Sequence, residues 1–285
     1  MNLHDIDRQS RQMILYRKFG VAIGESYFRA SQGERGVDLV RYLYADQPFP
    51  GMPCTSTETI HIDLNLDSHE LLRSFKKPTR YDVRRASEDD GFVCRFPDGS
   101  LAEVREKFYS FYAQFADSKN IRPVNKTRID AIGRSGQLMM STVEHPDGSV
   151  LAWHAHIWDS ARALLLHAPS LHRYQTDAAG RQAAARANRF LHWNDMLHFQ
   201  QRGVSVLDLG GWYAGQDDSW LCSVSNFKAG FGGSVAKTYN CVYGLSRKGK
   251  FAVSLWNRRT IPMLYSHFAL GQVRKYVLRQ SLSTE

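Results

Sequence analysis

The chain has 285 residues, 43% apolar and 23% charged, a globular composition long enough for one large domain or two small ones around a buried core. That excludes an intrinsically disordered chain and a disulfide-built miniprotein. Lys and Arg outnumber Asp and Glu by 37 to 28, a surplus of +9 that suits an anionic partner such as nucleic acid, a phosphorylated cofactor or a membrane surface.

The surplus is concentrated. Residues 245–285 hold eight basic residues against Glu285 alone, residues 73–85 hold six against Asp82, and the remainder is mildly acidic. The four cysteines (Cys54, Cys94, Cys222, Cys241) show neither CxxC nor Cys/His metal spacing. Neither a zinc module nor a disulfide framework is therefore expected, and reduced cytosolic thiols are the simplest reading. The first twenty residues lack an apolar core segment and no run of eighteen apolar residues occurs, so neither a signal peptide nor a spanning helix is expected.

In chain order, residues 6–19 read as a helix, and VDLVRYLYA (37–45) as a strand. A turn-rich stretch (46–57) precedes the alternating strand ETIHIDLNL (58–66). Asp67 and Ser68 are placed to cap a basic helix that Pro78 should kink or restart and Gly91 should end. A short strand (92–99), an amphipathic helix (100–120) carrying Val104, Phe108, Phe111, Tyr112 and Phe115 on one face, and a second helix (125–136) follow. Next come three strands, QLMMSTVEHP, SVLAWHAHIWD and ARALLLHAPS, separated by turns at Pro146-Asp147-Gly148 and Ser160-Ala161. A long helix (178–201) stopped by Gly203, a strand (204–211), a short helix (219–233) and a strand (235–246) complete the pattern. An antiparallel meander feeding a β-α-β unit argues for an α/β fold with one mixed sheet. We divide the chain into a partial N-terminal lobe (1–90), a core (91–246) and a basic C-terminal tail (247–285) packing back on the body.

The order of elements is similar to the GNAT acyl-CoA N-acyltransferase fold. The segments KPTRYDVRRA (77–86), ANRFLHWNDMLHFQQRG (187–203), VLDLGGW (206–212) and SNFKAGFGG (225–233) together resemble the FemAB-like branch of that superfamily, over roughly residues 60–245. The resemblance implies transfer of an acyl group from a thioester or aminoacyl-tRNA to an amine of a cell-envelope precursor. The first lobe is short and no long helical arm is visible, which favours acyl-CoA or an acyl-carrier protein as donor. The same resemblance gives Lys228, in the FK motif, the role of stabilising developing negative charge near the acyl end of the donor. It also places the cofactor pyrophosphate at the start of the helix that begins near 178.

Acyl transfer to an amine needs a donor anchor, oxyanion stabilisation and a base. Gly180, Arg181, Gln182 and Arg186 are the candidate anchor, because helix N-termini and nearby guanidiniums hold phosphate. His154 and His156 stand two apart on one strand, so they share a face and are the candidate bases. Asp208 is a lone carboxylate in an apolar strand and needs a partner; it reads as a base, as an orienter for a histidine, or as a cap on the adjacent turn. Arg189, His192, Trp193 and Asp195 have helical spacing and read as core and cleft wall, and no metal site is expected. Arg80, Arg84 and Arg85 suit a phosphate-bearing acceptor, with Trp212 and Tyr213 beside it. The tail 260–280 reads as a helix packed on the body or lying against an anionic bilayer.

The expectation is a cytoplasmic N-acyltransferase, with possible peripheral contact at the inner face of an anionic membrane. It would use a thioester donor on an amino sugar or other glycan or lipid-linked precursor, with an aminoacyl-tRNA-dependent enzyme as the alternative. A basic nucleic-acid-binding or scaffold protein is the reading from another class, although no DNA-recognition motif supports specific DNA binding.

Overall fold

A computed structural model describes residues 13–29, 36–172 and 177–260, with side chains through residue 255. Its strands are β1 (Ile14–Lys18), β2 (Val21–Tyr27), β3 (Leu39–Ala45), β4 (Cys54–Asp63), β5 (Val93–Arg95), β6 (Leu138–Glu144), β7 (Val150–Trp158), β8 (Arg162–His167), β9 (Val206–Gly211) and β10 (Ser234–Gly244). The helices are α1 (Ser68–Ser74), α2 (Lys77–Glu88), α3 (Ala102–Lys119), α4 (Lys126–Arg134), α5 (Ala178–Gln200), α6 (Ser219–Ala229) and α7 (Arg247–Thr260). All ten strands form one sheet in the order β1-β2-β3-β10-β4-β9-β8-β7-β6-β5. The pairs β2/β3 and β8/β9 are parallel and the others antiparallel. The mixed α/β sheet expected from the sequence is what forms. Strands from residues 14–63 share it with those from 93–244, since β4 lies between β9 and β10.

The two faces carry separate cores, as the alternation of side chains along each strand requires. On one face, Trp153, Ala155 and Ile157 of β7 pack with Phe108, Phe111 and Tyr112 of α3 and with Ile129 and Ile132 of α4. On the other, Leu207 and Leu209 of β9 and Ile60 and Ile62 of β4 pack with Met196 and Phe199 of α5, Leu71 of α1 and Phe231. Asp67 caps α1 by accepting from the Glu70 N–H at 2.8 Å. Pro78 sits in the first turn of α2, so it restarts the helix rather than kinking it.

Two sequence expectations are corrected, and one strand was missed. Of residues 6–19, those described form β1, because Ile14 and Tyr16 point inward while Leu15 and Arg17 point out, a period of two rather than 3.6; residues 6–12 lie outside the described residues. The strand β2 was not anticipated. Nor do all four thiols stay reduced: Cys54 and Cys241, directly opposite each other in the β4/β10 ladder, form a disulfide, while Cys94 and Cys222 are free. Pairing across 187 residues of chain carries no local spacing signal. In the tail, α7 packs against β10, β2 and β3, with Ala252 and Val253 against the core on that face of the sheet. The reading of 260–280 as a helix falls, apart from Thr260, outside the described residues.

Candidate functional site

The parallel ladder between β8 and β9 stops at Leu164↔Asp208. Both strands continue past that pair, each held only by its outer neighbour: β8 by β7 to Ala155↔His167, and β9 by β4 to Thr59↔Gly211. Two inner strand edges therefore lack each other as partners at the carboxyl ends of the parallel pair. In open α/β sheets that end is where ligands bind. The crossover helix α5 begins at the same end, since it follows β8.

Lys228 is built into this opening from α6. Its Nζ donates to the Gly211 carbonyl at 2.7 Å, and a Cβ added at Gly210 would lie 3.8 Å from it. Burial pushes the ammonium down to about 8, the nearby Asp208 charge opposing only in part. The glycines after it have a steric reason. Gly233 has φ +81° and an added Cβ would sit 2.5 Å from the His61 carbonyl, while Gly232 has φ +76° and an added Cβ there would sit 2.8 Å from the Ser74 carbonyl. The GFGG segment thus presses the end of α6 onto α1 and β4.

Asp208 lies on the face opposite to Leu207 and Leu209. Its Oδ2 accepts from Arg162 Nη2 at 2.6 Å and lies 3.3 Å from His61 Nε2, and its Oδ1 accepts from the Gly210 N–H at 2.7 Å. Burial raises this carboxyl, but His61 and Arg162 outweigh it and hold the group below the usual carboxylate range. Asp208 is thus an ionised anchor that fixes the Gly210 turn beneath Lys228. Its histidine is His61, and it lies across the sheet from His154 and His156.

His154 and His156 do share a face, the one under α5, and both are completely buried. His154 Nδ1 lies 2.6 Å from Asp195 Oδ2 and its Nε2 lies 2.9 Å from Asn188 Oδ1. Ser141 donates to the other Asp195 oxygen at 2.5 Å. His156 Nε2 stands 3.6 Å from the same carboxylate, too far for a hydrogen bond. His192 packs its ring against His154, Phe227 and Phe231. Asn188, His192 and Asp195 form an i, i+4, i+7 stripe on α5. The sequence reading took His192 and Asp195, together with Arg189 and Trp193, as core and cleft wall, and left out Asn188.

The anchor residues do not act as one group. Asp177 caps α5 by accepting the Gly180 N–H at 2.6 Å, and Arg181 and Gln182 are exposed on its first turn. Arg186 turns away to make a two-pronged pair with Asp90 at 2.7 and 2.8 Å, fastening α5 to the end of α2. On α2, Arg80 donates to the carbonyls of Arg73 and Phe75, whereas Arg84 and Arg85 are exposed. The Trp212 N–H donates to Glu58 and the Tyr213 N–H to Ser225, so both rings follow directly from the open end of β9. His61, Arg162, Asn188 and Ser141 are site residues that the sequence reading missed.

No family model matches the sequence, and no curated protein matches it. Solved structures do match in fold. The crystal structure of FemX aligns with a TM-score of 0.59 over 87% of this chain and 86% of that one, at 11% identity. The C-terminal DUF2156 domain assigned to a lysylphosphatidylglycerol synthetase of Agrobacterium fabrum aligns at 0.50 over 87% and 84%, at 13% identity. L-PGS from Bacillus licheniformis aligns at 0.50 over 86% and 84%, at 11% identity. The chain has the GNAT-type fold of these proteins, as the FemAB-like resemblance implied.

Proposed function

We propose that the chain is a FemAB-like GNAT acyltransferase that moves an acyl or aminoacyl group onto an amine of a cell-envelope precursor. The observation that carries this reading is the ended β8/β9 ladder with the buried Lys228 ammonium against it. Unpaired strand edges offer N–H and C=O groups to an extended, amide-bearing donor arm. When the amine attacks the donor carbonyl, a C–N bond forms, negative charge develops on the carbonyl oxygen, and the C–S or C–O bond to the carrier then breaks, with the proton lost by the amine ending on the departing thiol or hydroxyl. Lys228 is cationic at neutral pH and supplies a preformed positive charge there, shielded from water. Asp208 and Arg162 hold the backbone turn that positions it. Arg181 and Gln182, at the start of α5, suit the donor's phosphates. The exposed Arg84 and Arg85 suit an acceptor bearing phosphate.

We favour a thioester donor, acyl-CoA or an acyl-carrier protein. An aminoacyl-tRNA donor is the second reading, favoured by the likeness to synthetases whose named product is an aminoacylated lipid. Purified protein is melted in the presence of an acyl-CoA panel and, separately, an aminoacyl-tRNA pool. A ligand that binds the native state raises the midpoint by mass action. Turnover is then scored by mass spectrometry with glucosamine-type and lipid-linked amines. Stabilisation by acyl-CoA supports the first reading and stabilisation by aminoacyl-tRNA the second. Neither binding nor transfer with any donor removes the proposal.

A further inference from the structure

The cluster beneath α5 holds more ligating chemistry than a hydrogen-bonded pair needs. Three imidazoles, His154, His156 and His192, surround the single carboxylate of Asp195, all within the protein interior. Among the described residues, neither ring nitrogen of His156 nor of His192 has a hydrogen-bond partner. Orphaned buried polar atoms of this kind are rare and costly, and each calls for a reason. Donor atoms of His154, His192 and Asp195 all lie within 4.8 Å of one another, which modest ring rotation brings to the separations of a four-coordinate metal. Two neutral nitrogens and one carboxylate oxygen form a donor set suited to zinc.

The outer contacts are also in place. Asn188 Oδ1 accepts from the Nε2 side of His154, which aims Nδ1 at Asp195 and the cluster centre. Ser141 holds the second oxygen of Asp195. Metal-binding histidines and carboxylates are oriented by such partners. Phe199, packed on His156, and Phe227 and Phe231, packed on His192, wall the cluster with apolar rings.

We infer that His154, His192 and Asp195 bind one divalent transition metal of the zinc class, with the His156 ring available as a fourth ligand. The metal replaces the close His154–Asp195 contact and ties β7 to α5. Through His192 it also ties both to the α6 segment that carries Phe227 and Lys228. The site is structural, since its ligands are closed off from solvent, and it is independent of which donor or acceptor the enzyme uses.

The test uses the full chain, stripped with chelator and then titrated with zinc against a chromophoric competitor, with cobalt(II) in a parallel series. The expected result is one metal per chain, visible cobalt absorption of a nitrogen- and oxygen-ligated low-coordinate centre, and a raised thermal midpoint. His192→Phe, which keeps an aromatic ring among aromatic neighbours, abolishes stoichiometric binding. Ser141→Ala, which removes only an outer contact, weakens binding by roughly 10- to 100-fold. His145→Ala, at an exposed histidine paired with Asp147, leaves it unchanged. Absence of one-to-one binding in the wild type overturns the inference, as does unchanged binding in His192→Phe.

Discussion

Replacing Lys228 by Met separates a functional lysine from a structural one without any knowledge of the substrate. The side chain is buried and its ammonium is pushed down to about 8 from 10.5. At pH 7 both folded and unfolded chains carry the proton, so this difference is a folding penalty of about 3 kcal/mol. Methionine fills nearly the same volume without charge, but it leaves the Gly211 carbonyl without the Nζ that now donates to it at 2.7 Å, a loss of about 1 kcal/mol. The variant should therefore be more stable by about 2 kcal/mol. For a chain of this size that raises the thermal midpoint by roughly 4–8 °C. The sign depends on pH. Between about 8 and 10.5 the unfolded chain holds the proton that the native chain has lost, so wild-type stability climbs with pH and the advantage of the variant closes and then reverses. Acyl transfer in the variant should fall by at least about a hundredfold, the scale for removing one oxyanion-stabilising donor. Wild-type activity should decline as pH rises past about 8. Paired thermal melts at pH 7 and pH 10 decide the matter. A Lys228→Met protein that melts below wild type at pH 7 would refute the reasoning, because the lysine would then be a net stabilising contact.

Three further perturbations probe the frame around the site. Glu25 is fully buried and accepts from Arg41 Nη1 at 2.5 Å and Arg128 Nε at 2.7 Å; burial raises its carboxyl, but Arg128 and Arg41 outweigh this and bring it to about 2. Glu25→Gln should cost about 3–5 kcal/mol in urea unfolding at neutral pH, because it removes the buried carboxylate charge that faces two guanidiniums, and only wild type should lose that margin as pH falls from about 4.5 towards 2. Gly233→Ala, with φ +81° and the His61 carbonyl 2.5 Å from the new Cβ, should be much more damaging than Gly148→Ala, with φ +84° and nothing within 4 Å; the latter should cost about 1–2 kcal/mol, and equal melting points would show that the GFGG packing is unimportant. Reduction of the Cys54–Cys241 bond should lower stability by about 2–4 kcal/mol, read as a reductant-dependent midpoint that disappears in a Cys54→Ala, Cys241→Ala variant.

Local periodicity carried most of the fold. Strands β6 to β10 and helices α3 to α6 follow from alternation, capping residues and stop signals that lie within each segment. The first strands did not yield to the same reading. The stretch around Ile14 is short, and nothing local distinguishes a strand edge from one helical turn; its state is set by pairing with β2, whose own partner β3 is parallel and comes from beyond a connection. Long-range pairing also brings Cys54 to Cys241, and opposition across a ladder leaves no trace in spacing.

For the site, the sequence supplied side-chain direction but not depth or partnership. Two histidines two residues apart must share a face, and they do. Whether that face meets solvent or a helix depends on α5, whose Asn188, His192 and Asp195 stripe closes over them. Asp208 shows the converse. A carboxylate in an apolar strand requires a partner, and the strand parity that buries Leu207 and Leu209 under α5 sends Asp208 to the opposite face. There it meets Arg162 from β8 and His61 from β4. The sheet therefore keeps two polar clusters apart, one on each face. Lys228 reaches the open strand ends between them, with Asp208 fixing its turn on one side and His192 packed beside its helix on the other. The proposed acyl transfer would therefore draw its positive charge from Lys228, held at the strand ends between the two clusters.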